Sequence, residues 1–292
     1  MTANGTRGRF GRYGLGVALL SAAVACGWIA GCNGDAAKTE KVSSFAGTAP
    51  VAGGTAVIAL SSDPDVLNPL LYTSANAGLV FAEIHDGLAE MGDDLTYQPR
   101  IASRWEIAPD GLSVTYHMLP WRWSDGHPLA AADVVRSFEL FQDPAVASPR
   151  RSFYRDVLRA VALDSVTVRY DLARPQPDPI QRTWHHILPE HLTRNLVPEE
   201  VRSWPLNQRP LSSGEFMLED WGHNRSLSLV RNPYYPGKPA LLDRVVFQIL
   251  PEESARLVAL ETGEVDLVNQ VPPDAARRLE KSGRAFCPCE PR

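Results

Sequence analysis

Residues 229–268 hold the pattern that most limits what this chain can fold into. Apolar residues from Leu229 lead into an Arg-Asn-Pro turn, which predicts a strand that ends there. An aromatic Tyr-Tyr-Pro-Gly loop follows, and Val245–Leu250 is a second predicted strand. A predicted helix and a short third strand complete the segment. This succession of strands and a helix favours a mixed α/β architecture.

The rest of the folded part also alternates between predicted strands and helices, without an internal repeat. Thr55–Leu60 is an apolar strand, and apolar residues at helical spacing predict a helix across Ala75–Glu90. A second helix is predicted over Ala131–Phe141. Three hairpins are predicted, with the strand pairs Trp105–Ile107 and Ser113–Met118, Val161–Leu163 and Val166–Leu172, and Phe216–Trp221 and Ser226–Val230.

Residues 1–31 have the pattern of an export signal. Three arginines come first, and an uncharged apolar run from Leu15 to Gly31 follows. A membrane-spanning anchor is the alternative, although the run is slightly shorter than the ~20 residues that a spanning helix needs. Residues 29–32, Ile-Ala-Gly-Cys, resemble a bacterial lipoprotein signal, which implies that Cys32 carries a lipid; Cys26 is a weaker second site. Residues 32–54 are predicted to be a flexible tether.

The charge of the chain excludes one class of partner. The formal net charge is −5, and it becomes −8 once residues 1–31 are removed, because they contain three arginines and no acids. A protein this acidic has no electrostatic reason to bind nucleic acid or anionic lipid. The hydrophobic share of 44% and the charged share of 22% are those of a globular protein.

Five segments of the folded part occur in an order that resembles a known family. They are Ser62–Pro69, Ala102–Val134, Asp164–Leu172, Pro210–Trp221 and Leu229–Val268. Together they resemble the bacterial extracellular solute-binding proteins of family 5, which bind oligopeptides and dipeptides for ABC transporters. The resemblance implies a mixed α/β fold of the type II periplasmic-binding-protein class. In that fold, two lobes close on a solute by hinge rotation.

The same resemblance divides the chain into lobes. Residues 55–250 correspond to a largely present first lobe, with an inserted subdomain over about 83–207, and the hinge strand is Val245–Leu250. Residues 251–292 correspond to the start of the second lobe and are too few to complete one. We therefore expect the N-terminal portion of a family member, with a truncated second lobe.

The resemblance also assigns candidate ligand contacts. Thr73 and Ala75, just past the first strand-to-loop corner, match positions that touch the peptide in oligopeptide binders. Arg150 matches an aromatic ligand contact, and an arginine there can pair with a solute carboxylate; a solvated surface arginine is the alternative. Ser213 and Gly214 are candidates through backbone amides that we expect to be exposed. We expect no catalytic residue, metal or cofactor.

Three histidines suggest a different functional class. His185, His186 and His191 lie within seven residues, so a secreted metal-dependent hydrolase is one alternative. No HExxH motif and no complementary Cys or Asp set accompanies them, which favours ordinary packing or surface histidines. A second alternative is a non-binding remnant that folds in part and stays tethered to a membrane.

The family interpretation predicts a binding protein and not an enzyme. We expect the substrate-binding component of an ABC importer, which captures oligopeptides or dipeptides outside the cytoplasmic membrane and delivers them to the permease subunits. We expect a periplasmic or otherwise extracytoplasmic monomer, held to a membrane by its lipid anchor. The residues do not specify the solute, and nickel, sugars and opines are alternatives within the family.

Overall fold

Two main β-sheets and the helices packed on them make up residues 51–92 and 94–282, which the computed structural model describes. The strands are β1 (Thr55–Leu60), β2 (Ala89–Met91), β3 (Tyr97–Pro99), β4 (Ala102–Ile107), β5 (Ser113–Met118), β6 (Trp121–Arg122), β7 (Pro128–Leu129), β8 (Val157–Ala162), β9 (Thr167–Leu172), β10 (Phe216–Gly222), β11 (Ser226–Arg231), β12 (Arg244–Ile249) and β13 (Leu267–Val268). The α-helices are α1 (Ala75–Ile84), α2 (Ala131–Gln142), α3 (Pro179–Thr183), α4 (Glu190–Thr193), α5 (Glu253–Thr262) and α6 (Pro273–Ser282). Short 3-10 helices occupy Arg151–Tyr154, Pro198–Ser203 and Pro205–Asn207.

The first sheet has the strand order β10-β11-β12-β1-β13. Strand β1 pairs in parallel with both β12 and β13, whereas β10, β11 and β12 pair antiparallel. Because parallel strands of one sheet need a crossover connection, α5 carries the chain from β12 past β1 to β13. The strand, loop, strand, helix and strand predicted across residues 229–268 are confirmed as β11, β12, α5 and β13.

Helices cover both faces of the first sheet. Successive side chains of a strand point to opposite faces, and Leu60 and Ala59 of β1 belong to different apolar clusters. Leu60 packs in a cluster with Phe81 of α1 and Phe247 of β12. Ala59 packs with Ala259 of α5 on the other side. The sheet is therefore the central layer of an α/β arrangement, as the sequence predicts.

Helix α1 is shorter than the prediction of Ala75–Glu90, because tertiary contacts end it at Ile84. The Ile84 carbonyl, which a further helical turn would use, accepts hydrogen bonds from the amides of Ser213 and Gly214, both at 3.0 Å. His85 then adopts an extended backbone with φ −130°. A Cβ atom on Gly214 would lie 2.9 Å from the Glu83 carbonyl oxygen, so only glycine allows this close approach.

The second sheet is antiparallel throughout, with the strand order β4-β5-β9-β8. It contains two of the predicted hairpins, β4–β5 and β8–β9. Helix α2 packs on it through Phe138 and Phe141, which meet Tyr116, Tyr170 and Trp123 in one buried core. The predicted helix over Ala131–Phe141 is confirmed with one more residue.

Strands β2 to β9 all fall in the predicted inserted subdomain, about residues 83–207. The boundaries of that subdomain and of the two lobes remain predictions. The export signal, Cys26, Cys32 and most of the tether lie outside the described residues.

Candidate functional site

The corner between β1 and α1 is organised around the Asp65 carboxylate. Its Oδ2 atom accepts hydrogen bonds from the Thr73 amide (2.7 Å), the Thr73 hydroxyl (2.8 Å) and the Ser74 amide (3.2 Å). Burial opposes the shift, but these hydrogen bonds together hold the pKa of Asp65 below its usual value. Thr73 and Ala75 are exposed at the start of α1. The corner therefore presents them in a fixed backbone conformation.

The predicted residue Arg150 lies beside this corner. Its Nη1 atom donates to the Tyr72 carbonyl at 2.6 Å, and its guanidinium carbon is 3.7 Å from the centre of the Tyr72 ring. This cation–π contact fixes the charge over the ring. Within the described part of the chain, no carboxylate lies at ion-pair distance from Arg150. Arg150 is thus held on Tyr72, which directly precedes Thr73 in the chain, and no described carboxylate pairs with its guanidinium.

A cavity of about 570 Å³ opens next to Tyr72. This volume lies in the range of small-molecule sites. Its aromatic wall includes Tyr72, Tyr97 and Trp184, and Trp184 is 38% exposed. The remaining lining residues are Gly78, Ala82, Glu83, His85, Asp86, Gly87, Ala89, Glu90, Met91, Arg100, Gln181, His186 and Glu215.

The cavity wall is acidic. Among the described residues that line it, Arg100 is the one Lys or Arg, and it forms an ion pair with Glu90. Glu83, Asp86 and Glu215 have no ion-pair partner within the described ranges. Burial raises the pKa of all three, that of Asp86 to about 6. Such a wall favours a ligand that carries a positive group.

The expectation that Ser213 and Gly214 offer exposed backbone amides is wrong. Both residues are buried, and both amides donate to the Ile84 carbonyl. The Ser213 hydroxyl accepts a hydrogen bond from the Asp86 amide at 3.1 Å. These residues hold the end of α1 and the adjoining cavity wall in place, so their amides are not available to a ligand.

The three histidines of the hydrolase alternative do not form one group. His185 lies in the aromatic core, where its Nε2 is 2.7 Å from the Tyr170 hydroxyl. His186 is buried at the cavity wall, and its Nε2 is 3.3 Å from the Tyr72 hydroxyl. His191 contacts Asp125 at 2.9 Å. In the part of the chain that the structure describes, they are not a shared set of metal ligands.

The sequence interpretation did not identify the cavity itself. Tyr72 and Trp184 supply its aromatic surface, and Glu83, Asp86 and Glu215 supply its charge. A weak signal existed for Tyr72, which directly precedes Thr73. The other lining residues named here come from separate segments of the chain, and no regular spacing in the sequence connects them.

The lipid-anchor prediction rests on residues other than the described ones. Cys32 lies outside them. Among the described residues, no helix combines the length and the apolar character that crossing a bilayer requires.

Comparison with known proteins identifies relatives for most of the chain. Residues 96–285 match the family model described as bacterial extracellular solute-binding proteins, family 5 Middle. Protein XP55 of Streptomyces lividans is 28% identical over 265 residues, which is 90% of this chain and 47% of that protein. The Probable D,D-dipeptide-binding periplasmic protein DdpA of Escherichia coli is 27% identical over 241 residues, 78% of this chain and 45% of that protein. The chain spans about half the length of these relatives.

A solved structure shows the same fold. The oligopeptide-binding protein AppA from Bacillus subtilis, solved in complex with a nonapeptide, superposes with a TM-score of 0.73 at 20% sequence identity. The match covers 82% of this chain and 47% of AppA. The predicted fold class, mixed α/β of the type II periplasmic-binding-protein kind, is confirmed.

Proposed function

The chain belongs to the bacterial extracellular solute-binding proteins of family 5, and from this premise we propose that it captures short peptides for an ABC importer. In this proposal, binding occurs outside the cytoplasmic membrane, and the loaded protein delivers its solute to the permease subunits. The name of DdpA, Probable D,D-dipeptide-binding periplasmic protein, supports a peptide-like solute for this relative at 27% identity. Capture needs no bond breaking and no cofactor.

The observation that carries the proposal is the Arg150 guanidinium, which has no ion-pair partner among the described residues and lies against Tyr72, a residue that lines the cavity. It is held over Tyr72, so little side-chain freedom is lost when it binds an anion. A solute carboxylate can accept two parallel N–H bonds from such a group. We assign the solute carboxylate to Arg150, beside Tyr72.

The acidic cavity complements the Arg150 guanidinium. Asp86, Glu83 and Glu215 attract a positive group, and Tyr72 and Trp184 offer apolar surface to side chains. A short peptide carries a carboxylate and an ammonium group at its two ends, so it satisfies both regions. A solute with only one of these charges uses only one of them.

Calorimetry with a mixture of short peptides tests the proposal. Heat of binding and a rise in unfolding temperature are expected for the full chain. For a dipeptide that binds, Arg150→Ala is expected to weaken affinity by about 10- to 100-fold, since hydrogen bonds between charged groups contribute about 1.5–3 kcal/mol. Arg151→Ala is the matched control, because that neighbouring arginine donates to the Gln142 carbonyl and not to Tyr72.

A C-terminally amidated version of the same dipeptide separates the role of Arg150 from general damage. The amide should bind the wild type more weakly than the acid, and Arg150→Ala should bind both forms alike. Absence of heat and of thermal shift with every peptide would favour the non-binding remnant. Cleavage of the peptides, seen by mass spectrometry, would favour the hydrolase.

Export and lipid attachment are part of the same proposal and need a separate test. We propose that residues 1–31 are removed, that Cys32 is lipidated and that residues 32–54 tether a monomer to the membrane. Expression with a labelled fatty acid should label the wild type, and Cys32→Ser should lose both the label and the membrane fraction. Cys26→Ser should retain both.

A further inference from the structure

One carboxylate and two imidazole rings meet where the β6–β7 turn faces α4. Asp125 and His127 lie on the turn, and His191 lies on the helix. Asp125 Oδ2 is 2.9 Å from His191 Nε2 and 3.2 Å from His127 Nδ1. The two rings are stacked, with centres 4.1 Å apart and 13° between their planes. The candidate ligand atoms all lie within 4.8 Å of one another.

These separations fit ligands of a common metal ion. Zinc lies about 2.0–2.2 Å from imidazole nitrogen and carboxylate oxygen. Two such ligands are then roughly 3.0–3.4 Å apart, for angles between octahedral and tetrahedral. The Asp125–His191 and Asp125–His127 separations already fall in or beside that range. The lone pair of an imidazole nitrogen lies in the ring plane, so one ring must turn out of the stack for both to point at one ion; the His127 side chain is 58% exposed and has room to turn.

Buried hydrogen bonds hold the turn and the helix in this arrangement. Asp133, only 4% exposed, accepts from the Trp123 indole (3.2 Å) on the turn and from the Glu190 amide (2.6 Å) at the start of α4. Asp125 Oδ1 accepts from the His127 amide at 3.0 Å, which orients the carboxylate. The ligands are thus positioned by groups that do not themselves contact an ion, as metal sites require.

We propose that Asp125, His127 and His191 bind one divalent transition-metal ion and so link the β6–β7 turn to α4. Imidazole nitrogen together with carboxylate oxygen suits zinc, nickel and copper better than calcium or magnesium. Each ring binds through an unprotonated nitrogen, so its hydrogen lies on His127 Nε2 and on His191 Nδ1. Water fills the remaining coordination positions. The site is separate from the cavity and from the proposed solute contacts.

Zinc titration of the full chain tests the proposal, because the difference between variants isolates this site from the cysteine thiols elsewhere. Bound zinc is counted by elemental analysis after dialysis, and the ring signals of His127 and His191 are followed by NMR. The variants are His127→Ala, His191→Ala and Asp125→Asn. The matched control is His223→Ala, because His223 contacts the Asp63 carboxylate at 3.0 Å and, among the described residues, belongs to no group of three candidate metal ligands.

The wild type and His223→Ala are expected to bind one more zinc equivalent than His127→Ala or His191→Ala. Asp125→Asn should weaken binding at this site by at least about tenfold. In the wild type, the ring signals of both histidines should shift together at the same zinc concentration. Equal zinc content in all variants, or ring signals that do not move, would overturn the proposal. Thermal unfolding in chelator confirms that each variant is folded.

Discussion

The molecule contains two histidine groups whose surroundings differ in every respect. His85, His185 and His186 are at most 6% exposed and are surrounded by aromatic rings. His127 and His191 form a stacked pair near the surface, both directed at Asp125. Burial lowers the pKa of His85 and His185 to about 4 and also lowers that of His186. The three buried histidines are therefore uncharged and pack in the interior, whereas the surface pair faces the Asp125 carboxylate.

This difference shows that distance along the chain is a poor guide to a shared site. His185, His186 and His191 lie close together in sequence, yet His185 and His186 are buried before Pro189, whereas His191 lies on α4 after it and contacts Asp125. Asp125, 66 residues away, becomes the neighbour of His191 instead. The three histidines that are close in sequence are therefore not one group. The group that forms instead is Asp125, His127 and His191, which the sequence did not suggest.

The largest effect that tests the comparison is expected from His185→Ala. The ring is buried, its Nδ1 donates to the His186 carbonyl (2.8 Å), and its Nε2 accepts from the Tyr170 hydroxyl (2.7 Å). Removing it leaves a cavity and two unpaired groups, so the free energy of unfolding should fall by about 4 kcal/mol. Urea unfolding measures this, with His127→Ala as the control. A loss similar to that of the control would show that the buried group is not structural.

A smaller loss in the free energy of unfolding is expected from Asp133→Asn, which tests what holds His127 and His191 in place. The carboxylate accepts hydrogen bonds from the Ala130 amide, the Glu190 amide and the Trp123 indole. Asparagine turns one acceptor into a donor, so two N–H groups then face each other in a buried place, at a cost of about 3 kcal/mol. The free energy of unfolding, measured in urea, and the affinity for zinc should both fall. Asp125→Asn, on the exposed turn, should weaken zinc binding while changing stability far less.

Local patterns predicted the strands, hairpins and helix α2, because alternation and turn residues act within a few positions. Three features could not be predicted in this way, because each depends on tertiary contacts. The end of α1 depends on Ser213 and Gly214, which take the carbonyl of Ile84. The cavity combines side chains from separate segments such as Glu83 and Glu215. The family resemblance predicts Arg150 as a candidate ligand contact, but its contact with Tyr72 joins residues that are 78 positions apart and leaves no local pattern.

The pH dependence of stability tests whether the buried group is neutral. The folded pKa of His85 is about 4, and that of an unfolded histidine is about 6.5. The contribution of the uncharged His85 ring to the free energy of unfolding is complete above pH 6.5. It is lost as the pH falls toward 4, because His85 gains a proton only in the unfolded chain. Between pH 7 and pH 5 the loss is about 2 kcal/mol. Asp86, with its pKa raised to about 6, changes stability in the opposite direction.

Replacing His85 isolates its contribution, because Asp86 titrates in both proteins. His85→Leu keeps an apolar side chain beside Phe81, so the protein should fold with a stability change of about 1.5 kcal/mol or less at pH 7. Its loss of stability between pH 7 and pH 5 should be about 2 kcal/mol smaller than that of the wild type. Urea unfolding at both values measures this. Identical pH dependence in the two proteins would mean that His85 is already protonated, or solvated, in the folded state.

The smallest effect is expected from His127→Ala in the presence of a chelator. The side chain is 58% exposed, and its contact with Asp125 is a surface interaction, so the free energy of unfolding should change by less than about 0.5 kcal/mol. With excess zinc, the wild type should become more stable and the variant should not, since an ion that binds only the folded state stabilises it. A large loss in chelator would place His127 with the buried group, and the contrast between the two groups would no longer hold.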